Sequence, residues 1–152
     1  MPLKVNQPAP DFELPSTSGN IFHLNNYKGE SLILYFYPKD FTPGCNREAC
    51  AFRDHWDFFK NIKVNVIGIS TDSIAEHTKF IKAHNLQFQL LSDKGAKVTQ
   101  LYKAQMPLFK TANRITYLLD KNHIIRASFT NLFKAELHVE KMINKLKEEV
   151  YK

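Results

Sequence analysis

The chain has 152 residues, 43% of them hydrophobic, with 21 Lys and Arg against 15 Asp and Glu, a formal net charge of +6. That length supports one sizeable core and leaves little for a second, so one domain over residues 1–152 is expected. The lysines are scattered, with many on the outer face of the last predicted helix. The charge therefore describes a solvated surface, and a nucleic-acid function is not expected.

The N-terminal residues have no apolar signal core, and no later stretch is long and apolar enough to span a bilayer, so a cytoplasmic protein without a membrane partner is expected. In chain order, Phe12-Glu13-Leu14 and the run at 21–24 flank a polar turn with Gly19 and read as a hairpin. The run at 31–37, Ser-Leu-Ile-Leu-Tyr-Phe-Tyr, is almost unbroken apolar sequence ended by Pro38, the pattern of a buried parallel strand. A helix follows from about 42–44, because Pro43 is tolerated in a first turn whose N–H groups have no partner anyway. A second buried strand covers 64–70. Ser73 and Glu76 form a possible capping box opening a helix to about His84. A short strand at 88–91, a helix at 95–102, and strands at 115–119 and 124–129 joined by Asp120-Lys121-Asn122-His123 come next. A helix at 134–150, with Val139, Met142, Ile143, Leu146 and Val150 along one side, closes the chain. Alternating strands and helices followed by a hairpin and a helix predict a three-layer α/β fold.

The two cysteines of the chain, Cys45 and Cys50, both fall in the helix after Pro43. Cys45 lies in its first turn, where unpaired N–H groups and the positive end of the helix dipole favour the thiolate, the form that attacks. At about 100° per residue, Cys45, Ala49, Phe52, Trp56 and Phe59 share a stripe roughly 80° wide, whereas Cys50 points about 140° from Cys45 toward the polar side. Residues five apart in an intact helix have Cα atoms roughly 8.5 Å apart, beyond the ~7 Å reach of an unforced disulfide. Any Cys45–Cys50 bond therefore demands local unwinding. The four-residue gap is not a C-x-x-C metal pair and the six histidines are dispersed, so neither a metal nor a cofactor is expected.

The order Pro38-x-x-x-Thr42-x-x-Cys45 resembles the active-site motif of peroxiredoxins, thiol peroxidases with a thioredoxin-like fold. The Thr-Pro-Gly-Cys loop with a second cysteine at the fifth position is similar to the bacterioferritin comigratory protein, or peroxiredoxin Q, branch. The similarity runs from Gln7-Pro8-Ala9-Pro10-Asp11-Phe12 through Gly68-Ile69-Ser70-Thr71-Asp72, Leu90-Leu91-Ser92-Asp93 and the Arg114-x-Thr116 strand to the last helix. It implies a thioredoxin-like three-layer fold with an N-terminal β-hairpin and a central mixed sheet. It also implies attack of Cys45 on hydrogen peroxide or an organic hydroperoxide, with Cys50 resolving the sulfenic acid and thioredoxin or glutaredoxin reducing the disulfide. Ionisation alone supplies little, since a thirtyfold gain in thiolate is worth about 2 kcal/mol, so donors to the breaking O–O bond are needed. By resemblance these are the Thr42 hydroxyl, the Cys45 N–H and the Arg114 guanidinium. Pro38 shapes the loop, and Glu48, one turn after Cys45, holds Arg114 through a carboxylate pair. A monomer or weak dimer is implied. One departure is the run at 103–113, shorter than its usual counterpart and without glycine. The competing readings are a redox relay that passes its disulfide to a client and a holdase with inert cysteines.

Overall fold

The computed structural model describes residues 2–106, 112–130 and 135–150. Strands β1 (Glu13–Pro15) and β2 (Ile21–His23) form an antiparallel hairpin with Leu14 opposite Phe22. A 3₁₀ turn at Leu24–Tyr27 leads into β3 (Ser31–Phe36), which feeds α1 (Pro43–Asp54) and α2 (Trp56–Asn61). Next come β4 (Val64–Ser70), α3 (Ile74–His84), β5 (Leu90–Ser92), α4 (Lys97–Leu101), β6 (Ile115–Leu119), β7 (Ile125–Thr130) and α5 (Ala135–Val150). The main sheet runs β5-β4-β3-β6-β7, parallel across β5, β4 and β3 and antiparallel across β3, β6 and β7. This is the thioredoxin-like mixed-sheet α/β architecture with an N-terminal hairpin that the resemblance implies.

The central strand explains its own composition. Ile33 and Tyr35, with Tyr37 just beyond the strand, face a core shared with Cys45, Ala49, Phe52, Phe80 and Val139, on the side of α1, α3 and α5. Leu32, Leu34 and Phe36 face the opposite core, with Phe12, Phe22, Val98 and Tyr102 from the hairpin and α4 side. A strand covered on both faces cannot alternate apolar with polar residues, and each such side chain contributes roughly 1.5–3 kcal/mol on burial. Gly68 of β4 is the counterpart of this crowding: a Cβ there would meet Leu90 at 2.6 Å and the Tyr35 ring at 2.8 Å.

Several expected boundaries move. The apolar stripe of the first helix belongs to two helices, because the chain breaks at His55, whose φ of −105° and ψ of 17° leave the helical region. Its Nδ1 lies 2.9 Å from the Ala51 carbonyl, beside the backbone bond that closes α1. Cys45, Ala49, Phe52 and Phe59 are still buried, while Trp56 is half-buried. The strand expected at 88–91 is Leu90–Ser92, since pairing with β4 begins at Gly68 opposite Leu90. The helix expected at 95–102 shortens to Lys97–Leu101 behind Ala96 at φ 57°. The strand expected at 124–129 is Ile125–Thr130, with an irregularity at Leu118/Leu119 in its partner. Ser73 does cap α3, accepting from the Glu76 N–H at 3.2 Å. Within the run at 103–113, residues 107–111 lie outside those described, as does the first expected residue of the last helix. No helix among the described residues is long and apolar enough to cross a membrane.

Candidate active site

The chain leaves the C-terminal end of β3 through residues 37–42, in the crevice where open α/β sheets place ligands. A buried polar brace fixes this loop. The Tyr37 hydroxyl donates to Asp40 Oδ1 at 2.6 Å, Asp40 Oδ2 lies 2.6 Å from His77 Nδ1, and His77 Nε2 lies 2.8 Å from the Leu91 carbonyl. The Asp40 N–H donates to Asp72 Oδ2 at 2.8 Å, and the Ser70 hydroxyl donates to the same oxygen at 2.6 Å. Ligand atoms of Asp40, Asp72 and His77 lie within 4.8 Å of one another, as a metal would require. Both ring nitrogens of His77 are already within hydrogen-bond distance of protein oxygens, Asp40 Oδ2 and the Leu91 carbonyl, so we read the group as a brace. Phe41 then turns through φ 64° and sets its ring edge-on to Phe80.

Each residue singled out in the sequence has a definite place. Pro38 is half-buried directly after Tyr37, whose N–H still donates to the Ile69 carbonyl at 3.1 Å, so proline arrives where no further ladder bond is made. Thr42 occupies the N-cap position of α1, but its side chain makes no cap bond; the hydroxyl donates instead to the Lys39 carbonyl at 2.9 Å. Cys45 is the third residue of α1 and 2% exposed. Arg114, just before β6, donates from Nη2 to Cys45 Sγ at 3.3 Å and from Nη1 to Glu48 Oε1 at 2.6 Å. Cys45, Glu48 and Arg114, 69 positions apart at the extremes, thus form one buried group.

Gly44 makes room for this arrangement. A Cβ at that position would stand 2.9 Å from Arg114 Nη2, so a side chain there would push the guanidinium off the sulfur. The sequence pattern contained this glycine without giving it a role.

The electrostatics follow from burial. Desolvation pushes the Glu48 carboxyl up to about 7, against the opposing pull of Arg114. Burial works against the Arg114 charge, but Glu48 and Cys45 more than offset it and hold the guanidinium above its ordinary value. His138 of α5, which the sequence reading passed over, adds a fourth buried residue: its Nδ1 lies 2.8 Å from Thr116 Oγ1 and 3.6 Å from Glu48 Oε2. Its one sequence signal is a position next to Val139 on the inner side of α5.

Cys50 differs from the expectation of a polar outer face. It is half-buried in the seam between α1 and α3, with Sγ 3.6 Å from His84 Nδ1. The reason is tertiary, because α3 covers the side of α1 that the helical wheel leaves uncommitted. Both cysteines are free thiols.

The sequence and the overall fold match known proteins. Residues 5–128 match the model of the AhpC/TSA family. A chloroplastic peroxiredoxin Q of Oryza sativa subsp. japonica is 44% identical over 132 residues, covering 86% of this chain; the chain spans only 61% of that relative's length. A bcp-type protein of Coxiella burnetii is 40% identical over 152 residues, 96% of this chain and 100% of its own. The crystal structure of peroxidoxin BcpB from Mycobacterium tuberculosis superposes with a TM-score of 0.88 and 29% identity, covering 96% of this chain and 97% of its own. The chain therefore belongs to the AhpC/TSA family, in its peroxiredoxin Q/bcp branch.

Proposed function

We propose that this protein is a thiol peroxidase in which Cys45 reduces hydrogen peroxide and organic hydroperoxides and Cys50 closes the cycle. The observation that carries the reading is the Arg114 fork, one nitrogen on Cys45 Sγ and the other on Glu48. The guanidinium places a positive charge 3.3 Å from the attacking sulfur. Attack on the terminal peroxide oxygen forms the S–O bond and breaks O–O, leaving Cys45 as a sulfenic acid and releasing water or an alcohol. Charge develops on the departing oxygen. The Cys45 N–H, in a turn with no intrahelical acceptor for it, and Arg114 are the donors available to that oxygen. Thr42 joins them once its hydroxyl turns from the Lys39 carbonyl toward the peroxide.

The Cys50 sulfur then displaces hydroxide from the sulfenic acid to form the disulfide, and a dithiol of the thioredoxin or glutaredoxin type restores both thiols by exchange. Because α1 is intact with both cysteines inside it, this step requires its first turns to open. Two free thiols suit a reducing compartment, such as the cytoplasm. One domain over residues 1–152, acting as a monomer or weak dimer, suffices for the cycle. The test is to treat reduced protein with one equivalent of hydrogen peroxide, block remaining thiols, and read intact mass and cysteine connectivity. The expected result is loss of two hydrogens with a Cys45–Cys50 link, absent in Cys45→Ser and replaced by a sulfenic acid in Cys50→Ser. Unchanged mass and two slow thiols would overturn the proposal.

A further inference from the structure

We infer that His84 is a catalytic residue of the resolving step, the base that takes the proton from Cys50. This rests on the peroxidase reading and adds a residue the motif does not contain. Cys50 Sγ and His84 Nδ1 are 3.6 Å apart, within hydrogen-bond reach for sulfur. With the ring proton on Nε2, Nδ1 is the acceptor that faces the thiol.

An arginine ties down the His84 main chain, and two aromatic rings flank its imidazole. Arg53, one turn after Cys50 on the same face of α1, donates from Nη1 to the His84 carbonyl at 2.8 Å. The Phe80 ring meets the imidazole edge-on at 4.8 Å, and Phe41 of the active-site loop lies 6.3 Å from it, centroid to centroid. His84 is the last residue of α3 and is followed by Asn85 in the left-handed conformation. The ring is also half-exposed, so it can return the Cys50 proton to solvent.

The chemistry balances as follows. Nδ1 takes the S–H proton, and Cys50 leaves the seam as a thiolate when α1 opens. The thiolate attacks the Cys45 sulfenic sulfur, forming S–S and breaking S–O. Hydroxide departs and acquires a proton as water, and the proton held by His84 is released to solvent. Cys45 sulfenic acid is reduced, the Cys50 thiol is oxidised, and the net products are one disulfide and one water. Without a base at this seam, the small thiolate fraction of an ordinary cysteine limits the step.

The test uses His84→Phe, which keeps a ring against Phe80, and His84→Gln, which keeps a polar tip; neither supplies a base. In a Cys45→Ser background, iodoacetamide alkylation of Cys50 at neutral pH is expected to slow about fivefold or more in both variants. A purely structural role predicts the opposite for His84→Gln, since a smaller, looser side chain uncovers the sulfur. In the chain with both cysteines, peroxide is expected to form the Cys45 sulfenic acid at the parental rate while disulfide formation slows about tenfold or more. The sulfenic acid then becomes trappable by dimedone as a mass adduct on Cys45. Added imidazole is expected to restore part of the rate. Alkylation unchanged in both variants, or disulfide formation unchanged in both, would overturn the role of His84. Failure of the peroxidase reading looks different: no sulfenic acid would form in any protein, while the alkylation measurement would still decide whether His84 takes the Cys50 proton.

Discussion

Cys45 and Cys50 lie on one helix, five residues apart, and the fold gives them opposite surroundings. Cys45 is 2% exposed and faces a charged group assembled from α1 and the start of β6, with Arg114 and Glu48 locked together behind it. Cys50 is half-buried in the α1–α3 seam against one imidazole and no carboxylate ion pair of its own among the described contacts. The buried position pre-organises a charge-stabilising fork for a reaction on a small ligand. The seam position instead holds its thiol beside an imidazole, 3.6 Å from Nδ1. One helix thus carries two halves of the same chemistry, a charged half at Cys45 and a seam half at Cys50.

The largest expected effect breaks the first half alone. Arg114→Lys keeps the charge but loses the planar fork that reaches sulfur and carboxylate together. Peroxide oxidation of Cys45, followed by rapid mixing, is expected to slow about 10²–10³-fold while Cys50 alkylation in the Cys45→Ser background is unaffected. An equal effect on both thiols would mean that the two environments are not separable.

A second effect appears in stability against pH. The Glu48 carboxyl is raised from 4.5 to about 7 by burial, so the folded protein binds that proton more tightly than the unfolded chain. Its contribution is full below about pH 4.5 and is lost as pH rises through about 7. Denaturant unfolding of reduced protein and of Glu48→Gln across this window is expected to show the parent losing about 2–3 kcal/mol relative to the variant as pH increases. A constant offset between the two curves would contradict the assignment.

The smallest effect serves as a control on the second half. Ser73→Ala removes the cap bond to the Glu76 N–H at the far end of α3 from His84. It is expected to lower stability by about 1 kcal/mol in thermal or denaturant unfolding and to leave both thiols' rates unchanged. Altered Cys50 alkylation would show that the seam responds to the whole of α3 rather than to His84.

The α1 register, the burial of Cys45 and the Glu48–Arg114 pairing were legible because each follows from local spacing or from a motif. The break at His55 was not, since the stripe continues in phase across it and only the chain's turn at that residue reveals two helices. Asp40 and His77 were missed because their pairing spans 37 positions; the available hint was His77 three residues before Phe80 on the inner face of α3. The role of Gly44 depends on where Arg114 arrives from β6, and the contact of His84 with Cys50 depends on how α3 packs on α1. Spacing fixes which way a side chain leaves its own element, whereas the partner it meets is set by the packing of the others.

The most direct test of the account is amide hydrogen exchange along residues 43–54, compared between reduced protein and protein oxidised to the Cys45–Cys50 disulfide. Because two cysteines five apart in an intact helix sit beyond disulfide reach, protection across 43–50 is expected to collapse on oxidation while β3 and β4 keep theirs. A fully formed Cys45–Cys50 bond with α1 protection unchanged would contradict the claim that the helix opens to let its two thiols meet.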